Sequence, residues 1–176
     1  MPAEDESEQP SQDVPVSVAR RDRDAVGRPR NARARDGLGR PQPRGTEGIP
    51  PTEDMPDVPP AITLDRAQQL LDEGKPFHAH EVLEAAWKSA PLEERGLWQG
   101  LAQLAVGLTH ILRENEIGAA SVLARGRDNV APYATAAPHG IDAVGLVYWA
   151  NTVIADLALA SANQTKLCVP TTPHLR

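Results

Sequence analysis

Residues 77–110 read FHAHEVLEAAWKSAPLEERGLWQGLAQLAVGLTH. The spacing of apolar and polar positions in this stretch decides the fold. Residues three and four apart share a face of a helix. His80, Leu83, Glu84 and Trp87 obey that spacing and form one stripe. After a short break at Pro91, Leu97, Leu101, Leu104, Leu108, Ile111 and Leu112 form a second stripe, flanked by Gln99, Gln103, Gly107 and His110. Two helices joined by a short turn are expected. The second is apolar over most of its circumference, which predicts burial. Buried polar groups need partners, because an unpaired one costs roughly 1–3 kcal/mol. The expectation is that His80, Glu84, Gln103 and His110 meet between these helices, with Trp87 and Trp98 as core anchors. Gly96, Gly100 and Gly107 each cost a helix about 1 kcal/mol relative to Ala. A neighbouring helix packed close to them would offset that cost.

The same periodicity extends to both sides. A first helix is expected over 64–73, with Thr63 as N-cap and Gly74 as its stop. Pro76 opens the second helix, which runs to about Lys88. The third is expected to begin near Glu93 and Glu94, which suit a helix N-terminus, and to end at Arg113. Asn115 is the natural N-cap of a fourth helix over 116–130. A fifth is expected over 141–160, with Leu146, Trp149, Val153 and Leu157 on one stripe and His139 near its start as a cap. No alternating strand pattern follows residue 60. The fold class is all-α: a compact antiparallel bundle of about five helices at 61–162, with a flexible C-terminal tail at 163–176.

Residues 1–60 differ in composition. They hold eleven of the seventeen prolines, and their larger apolar residues show no helical period. Val14, Val16 and Val18 alternate, but Pro15 argues against a strand. Such a segment cannot bury enough surface to offset its ordering entropy, so a disordered tail is expected. The net charge of the chain is −6. Within the tail, Arg20 to Arg44 carries nine Arg against Asp22, Asp24 and Asp36, a local excess of +6. This arm suits weak, non-specific, salt-sensitive contact with nucleic acid. It holds no aromatic residue on which a base would stack, and charge-rich runs are commonly just solvated. The single cysteine, Cys168, excludes an internal disulfide and has no nearby His or Asp in a recognisable arrangement that would make it a nucleophile. The N-terminus lacks a cleavable signal pattern, and no stretch approaches about 20 uninterrupted apolar residues. A cytoplasmic protein without membrane contact is expected.

The motifs AHEVLEAAW, WQGLAQLAVGLTH and RENEIGAASVLARG together resemble the uncharacterised helical family catalogued as domain of unknown function 309. The matching positions are His80, Glu81, Glu84, Trp87, Gln99, Gly100, Leu101, Gln103, His110, Asn115, Gly118 and Ala119. The resemblance covers roughly residues 62–160 and implies a bundle of about five helices. It implies no established activity. The family often has Gly before that Asn, where this chain has Glu114.

Three functions of the cluster remain open on these grounds. It would be a structural network that fixes helix docking, as part of a module for a protein partner. It would hold a divalent metal through His80, Glu84 and His110, although HEVLE is neither the HExxH of zinc proteases nor a di-iron pattern. Or His80, Glu84 and His110 would perform acid–base catalysis of a hydrolase type on a small molecule. Trp87, Gln99, Gln103 and Glu81 are candidate binding residues. By helix geometry alone Glu81 points to solvent; the family resemblance brings it toward the site through Glu84. His78 falls outside the motif, on the expected exposed face. An enzyme predicts a concave opening that reaches His80 or His110. An adaptor predicts a filled polar core and an exposed apolar face.

Overall fold

Pro60 and Pro76 each occupy the first turn of a helix, where a missing N–H leaves no bond unmade. They begin α1 (Pro60–Asp72) and α2 (Pro76–Ser89). A computed structural model of the chain describes residues 34–43, 46 and 58–176. The described residues continue with α3 (Arg95–Leu112), α4 (Glu116–Val130) and α5 (Ala143–Asn163), and contain no strand. Short 3-10 turns at Ala131–Tyr133 and Pro138–Gly140 join α4 to α5. Most of the tail expected to be disordered, including most of the Arg arm, lies outside the described residues.

Consecutive helices pack side by side, α1 on α2, α2 on α3, α3 on α4 and α4 on α5. The connections between the first four are short, as antiparallel neighbours require. α3 lies between α2 and α4. It buries Leu97, Leu101, Leu104, Leu108 and Ile111 together with Leu64, Leu83, Leu123 and Leu146 from the other helices. The closest packing is between α3 and α4. A Cβ on Gly100 would lie 2.9 Å from the Gly126 carbonyl oxygen, and one on Gly126 would lie 3.1 Å from that of Gly100. The two backbones therefore touch at this crossing.

Helix ends differ from expectation where a residue finds a nearer partner. Thr63 does not cap α1. It lies inside the helix, and its hydroxyl donates to the Pro59 carbonyl. Asp142, not His139, caps α5 by accepting from the Gly145 N–H at 2.8 Å. Asn115 caps α4 as expected, accepting from the Gly118 N–H at 3.0 Å. The residue before it, Glu114, sits at φ +60° and pairs with Lys166.

The C-terminal segment is held, contrary to the expectation of a free tail. Leu175 is only 2% exposed. Its N–H donates to the Gln68 side chain on α1, and its carbonyl accepts from the Asp142 N–H at the start of α5. Gln68 also donates to the Pro173 carbonyl, and Trp149 donates to that of Thr171. One apolar residue with backbone pairs on both sides is invisible to periodicity, which needs several turns to register.

Candidate functional site

On α2, His80 and Glu84 stand one turn apart, with Nε2 and Oε2 at 3.5 Å. Glu84 is shared, since Lys88 Nζ lies 3.3 Å from its other oxygen. The Nδ1 atom of His80 is buried and has no hydrogen-bond partner. Burial lowers the His80 pKa below the usual imidazole value. Glu84 and Glu81 oppose that shift, Lys88 adds to it, and the Ala102 backbone on α3 opposes it weakly. The neutral ring is therefore favoured.

The other expected members face elsewhere. Gln103 accepts from Asn129 of α4 at 2.9 Å. His110 pairs through Nδ1 with Asn115 at 2.9 Å. Its pKa is also lowered, first by burial and then by Arg113. The reason lies in the glycines. Gly100 and Gly107 mark the side of α3 that meets α4. Gln103 and His110 each follow one of them by three residues, so they flank that same side. Gln99 is half-buried on α3. Trp98 is buried in the core, and Trp87 is partly buried against it. The expected set is thus divided among three pairs: His80 with Glu84, Gln103 with Asn129, and His110 with Asn115. Among the described residues no group of three or more His, Cys, Asp or Glu side chains is placed to hold a metal ion. The proposed ligand set of His80, Glu84 and His110 is not gathered.

A polar cluster that sequence reasoning missed lies half a turn away. His78 is buried at 1% exposure, not exposed. Its Nδ1 lies 3.0 Å from Glu81 Oε2, and its Nε2 lies 3.1 Å from the Asp36 carbonyl oxygen. Glu81 therefore turns to His78 rather than to solvent. The cover is residues 34–43, which lie against the start of α2. Asp36 shapes them into a turn by accepting from the N–H groups of Leu38 and Arg40 at 3.0 and 2.7 Å. Gly39 has φ +74°, and any Cβ there would enter the Phe77 ring. The guanidinium carbons of Arg35 and Arg113 stand 5.1 and 5.7 Å from the centre of that ring, within cation–π range. Arg113 also donates to the Leu38 carbonyl. The available signal is DGLG inside the Arg-rich run, an Asp-Gly turn sequence.

A third cluster joins the start of α3 to the α4–α5 connection. Glu94 lies 2.8 Å from His139 Nε2 and accepts from the Trp98 indole at 3.2 Å. The hydrogen bond from His139 holds the Glu94 carboxyl below its usual range; burial opposes it, and Trp98 adds a smaller lowering effect. Beside this cluster lies an open depression of about 300 Å³, between Thr63 and Ala90. A larger one, about 560 Å³, lies between Leu112, Glu116 and Leu167. Neither is lined by His80 or His110.

α5 departs from the sequence expectation in another respect. By length and composition alone it could cross a membrane, with a mean hydropathy of 1.5 over an 18-residue window, of which 33% is buried inside the protein. Isolated polar residues interrupt its apolar run without lowering its average below that level.

Residues 64–122 match the model of the family described as domain of unknown function (DUF309). That span contains the α2 and α3 motifs and the start of α4. The chain is also similar to "Uncharacterized protein YpuF" of Bacillus subtilis (strain 168), at 45% identity over 49 residues, or 27% of this chain. It spans about 28% of the length of that relative. No solved structure matches the chain.

Proposed function

We propose that the protein is a helical partner-binding module whose His, Glu and Gln side chains fix helix positions. The observation that carries this reading is the division of His80, Glu84, Gln103 and His110 into separate local pairs, none of which lines either of the two depressions described above. Catalysis needs groups that converge on one bound molecule. Structural polar groups need only be satisfied where they stand. The complementary observation is the exposed apolar side of α5, which is what a docking face requires.

A second reading, acid–base chemistry of a hydrolase type, draws on His80 alone with Glu84. An imidazole with one bare buried nitrogen, a neutral ring and an adjacent carboxylate is a general-base arrangement. Denaturation of His80→Ala and His110→Ala, singly and together, separates the two, alongside elemental analysis of protein purified without an affinity-tag metal. The module reading expects no stoichiometric metal and a cost for His80→Ala of about 1 kcal/mol, from the lost Glu84 contact and ring packing. It also expects coupling between the two changes below about 0.5 kcal/mol, because they act in different pairs. Unchanged stability with loss of a bound metal or of hydrolytic turnover would replace it with the enzyme.

A further inference from the structure

α5 carries a single side chain that is charged at neutral pH, Asp156, along its 21 residues. Its inner stripe, Leu146, Ala150, Val153 and Leu157, is buried in the core. Its outer side is apolar as well. Val144, Tyr148 and Leu159 stand 62%, 74% and 61% exposed. With Thr152 and Ala155 between them they follow one another at helical spacing and make one continuous face.

Resting on the partner-binding reading above, we infer that a second copy of this chain covers the face, its α5 packed antiparallel on the first across a two-fold axis. The pattern is self-complementary, as an isologous contact requires. Pairing about the midpoint of Asn151 and Thr152 sets Val144 against Leu159 of the second copy and Tyr148 against its Ala155. Small side chains at the centre let the helices approach. The Tyr148 hydroxyl then lies beside the Asp156 carboxylate of the second copy, a donor next to an acceptor. The two Asp156 groups are separated along the axis by about 13 Å, beyond the screening length at physiological salt.

Paired about that midpoint, residues 143–160 of the two copies run alongside each other over ~27 Å. Contact along that whole length is what a specific interface, of about 1,000 Å² in all, requires of this face. A lipid surface fits less well, because α5 has no Lys or Arg to meet anionic headgroups and the chain is net negative.

Sedimentation velocity on the full chain from about 1 to 200 µM spans the dissociation constants that an interface of this size supports. A monomer–dimer equilibrium is expected. Tyr148→Glu sets a carboxylate beside Asp156 of the second copy and should weaken the dimer at least about tenfold, whereas Tyr148→Lys should retain it with greater salt sensitivity. Position 148 is exposed, and circular dichroism checks that both variants keep their helicity. A wild-type chain monomeric throughout overturns the proposal, as does a Tyr148→Glu chain that dimerises like wild type. Equal weakening by Glu and Lys overturns the antiparallel pairing. Co-sedimentation of wild type, but not Tyr148→Glu, with phosphatidylcholine vesicles assigns the face to lipid instead. Hydrolytic turnover lost in His80→Ala and kept in Tyr148→Glu would remove the module reading without touching the dimer, so the two fail separately.

Discussion

Replacing Gly100 with Ala tests the α3–α4 crossing on which the bundle rests. In an exposed helix the change stabilises by about 1 kcal/mol through backbone entropy. Here the added Cβ would lie 2.7 Å from Val130 Cγ2, 2.9 Å from the Gly126 carbonyl oxygen and 3.1 Å from Asn129 Cβ. Val130 is completely buried, and the Gly126 oxygen is backbone, so neither gives way locally. The helices must separate by several tenths of an ångström, which loosens Leu101, Leu104 and Leu123 at once. Overpacking of this kind costs about 1–3 kcal/mol. Set against the propensity gain, the net expectation is a loss of up to about 2 kcal/mol. Urea denaturation followed by circular dichroism measures it. Gly96→Ala is the internal control, because its Cβ would meet only Tyr133, with the hydroxyl nearest at 3.0 Å at the far end of a half-exposed side chain. Gly96→Ala should be neutral or stabilising. If Gly100→Ala is as stable as Gly96→Ala, the backbones do not touch, and the reasoning from glycine to helix contact is refuted.

Other outcomes follow from the polar pairs. The His80 pKa is lowered on folding, so the unfolded chain binds the extra proton first; stability should fall as pH drops below the ordinary imidazole value of about 6.5, and His80→Gln should flatten that slope in thermal melts between about pH 7 and 5. His78→Ala leaves the Asp36 carbonyl and Glu81 without their imidazole partner; it should cost about 1–3 kcal/mol and raise amide exchange at Leu38 and Arg40, and unchanged exchange there would mean that His78 does not hold the 34–43 segment. Glu114→Gly removes a side chain from a left-handed backbone position and should raise the melting temperature despite the lost Lys166 pair, whereas a lower one would make that pair dominant.

The sequence made the helices legible because their signals are local and repeated. Pro76, Asn115 and the Leu stripe of α3 each act within a turn or two, and the structure places α2, α3 and α4 where those residues point. The polar cluster was less legible because a face is relative. Gln103 and His110 do lie beside the apolar stripe of α3, but that helix has two neighbours, and only the glycines report which one takes the polar flank. Gly100 and Gly107 signal close approach, and three residues beyond each of them Gln103 and His110 take the same flank. His78 failed for a different reason. Its partner, Asp36, is 42 residues away in sequence, in a segment with no period, and no helix-face argument reaches across such a gap. Leu175 is the same failure at the other end of the chain.

That last contact bears on how the fold comes apart. The α1–α2, α2–α3 and α3–α4 pairs are neighbours in sequence and form as local hairpins, the condition for fast folding. The hydrogen bond from Leu175 to Gln68 closes a span of 107 residues, and it has no surface to dock on until α1 and the start of α5 are both in place. An interaction that forms after the main barrier leaves the folding rate nearly unchanged and appears almost wholly in the unfolding rate. The C-terminal segment thus works as a clasp on a bundle already assembled: it governs how long the native state lasts rather than how quickly it is reached.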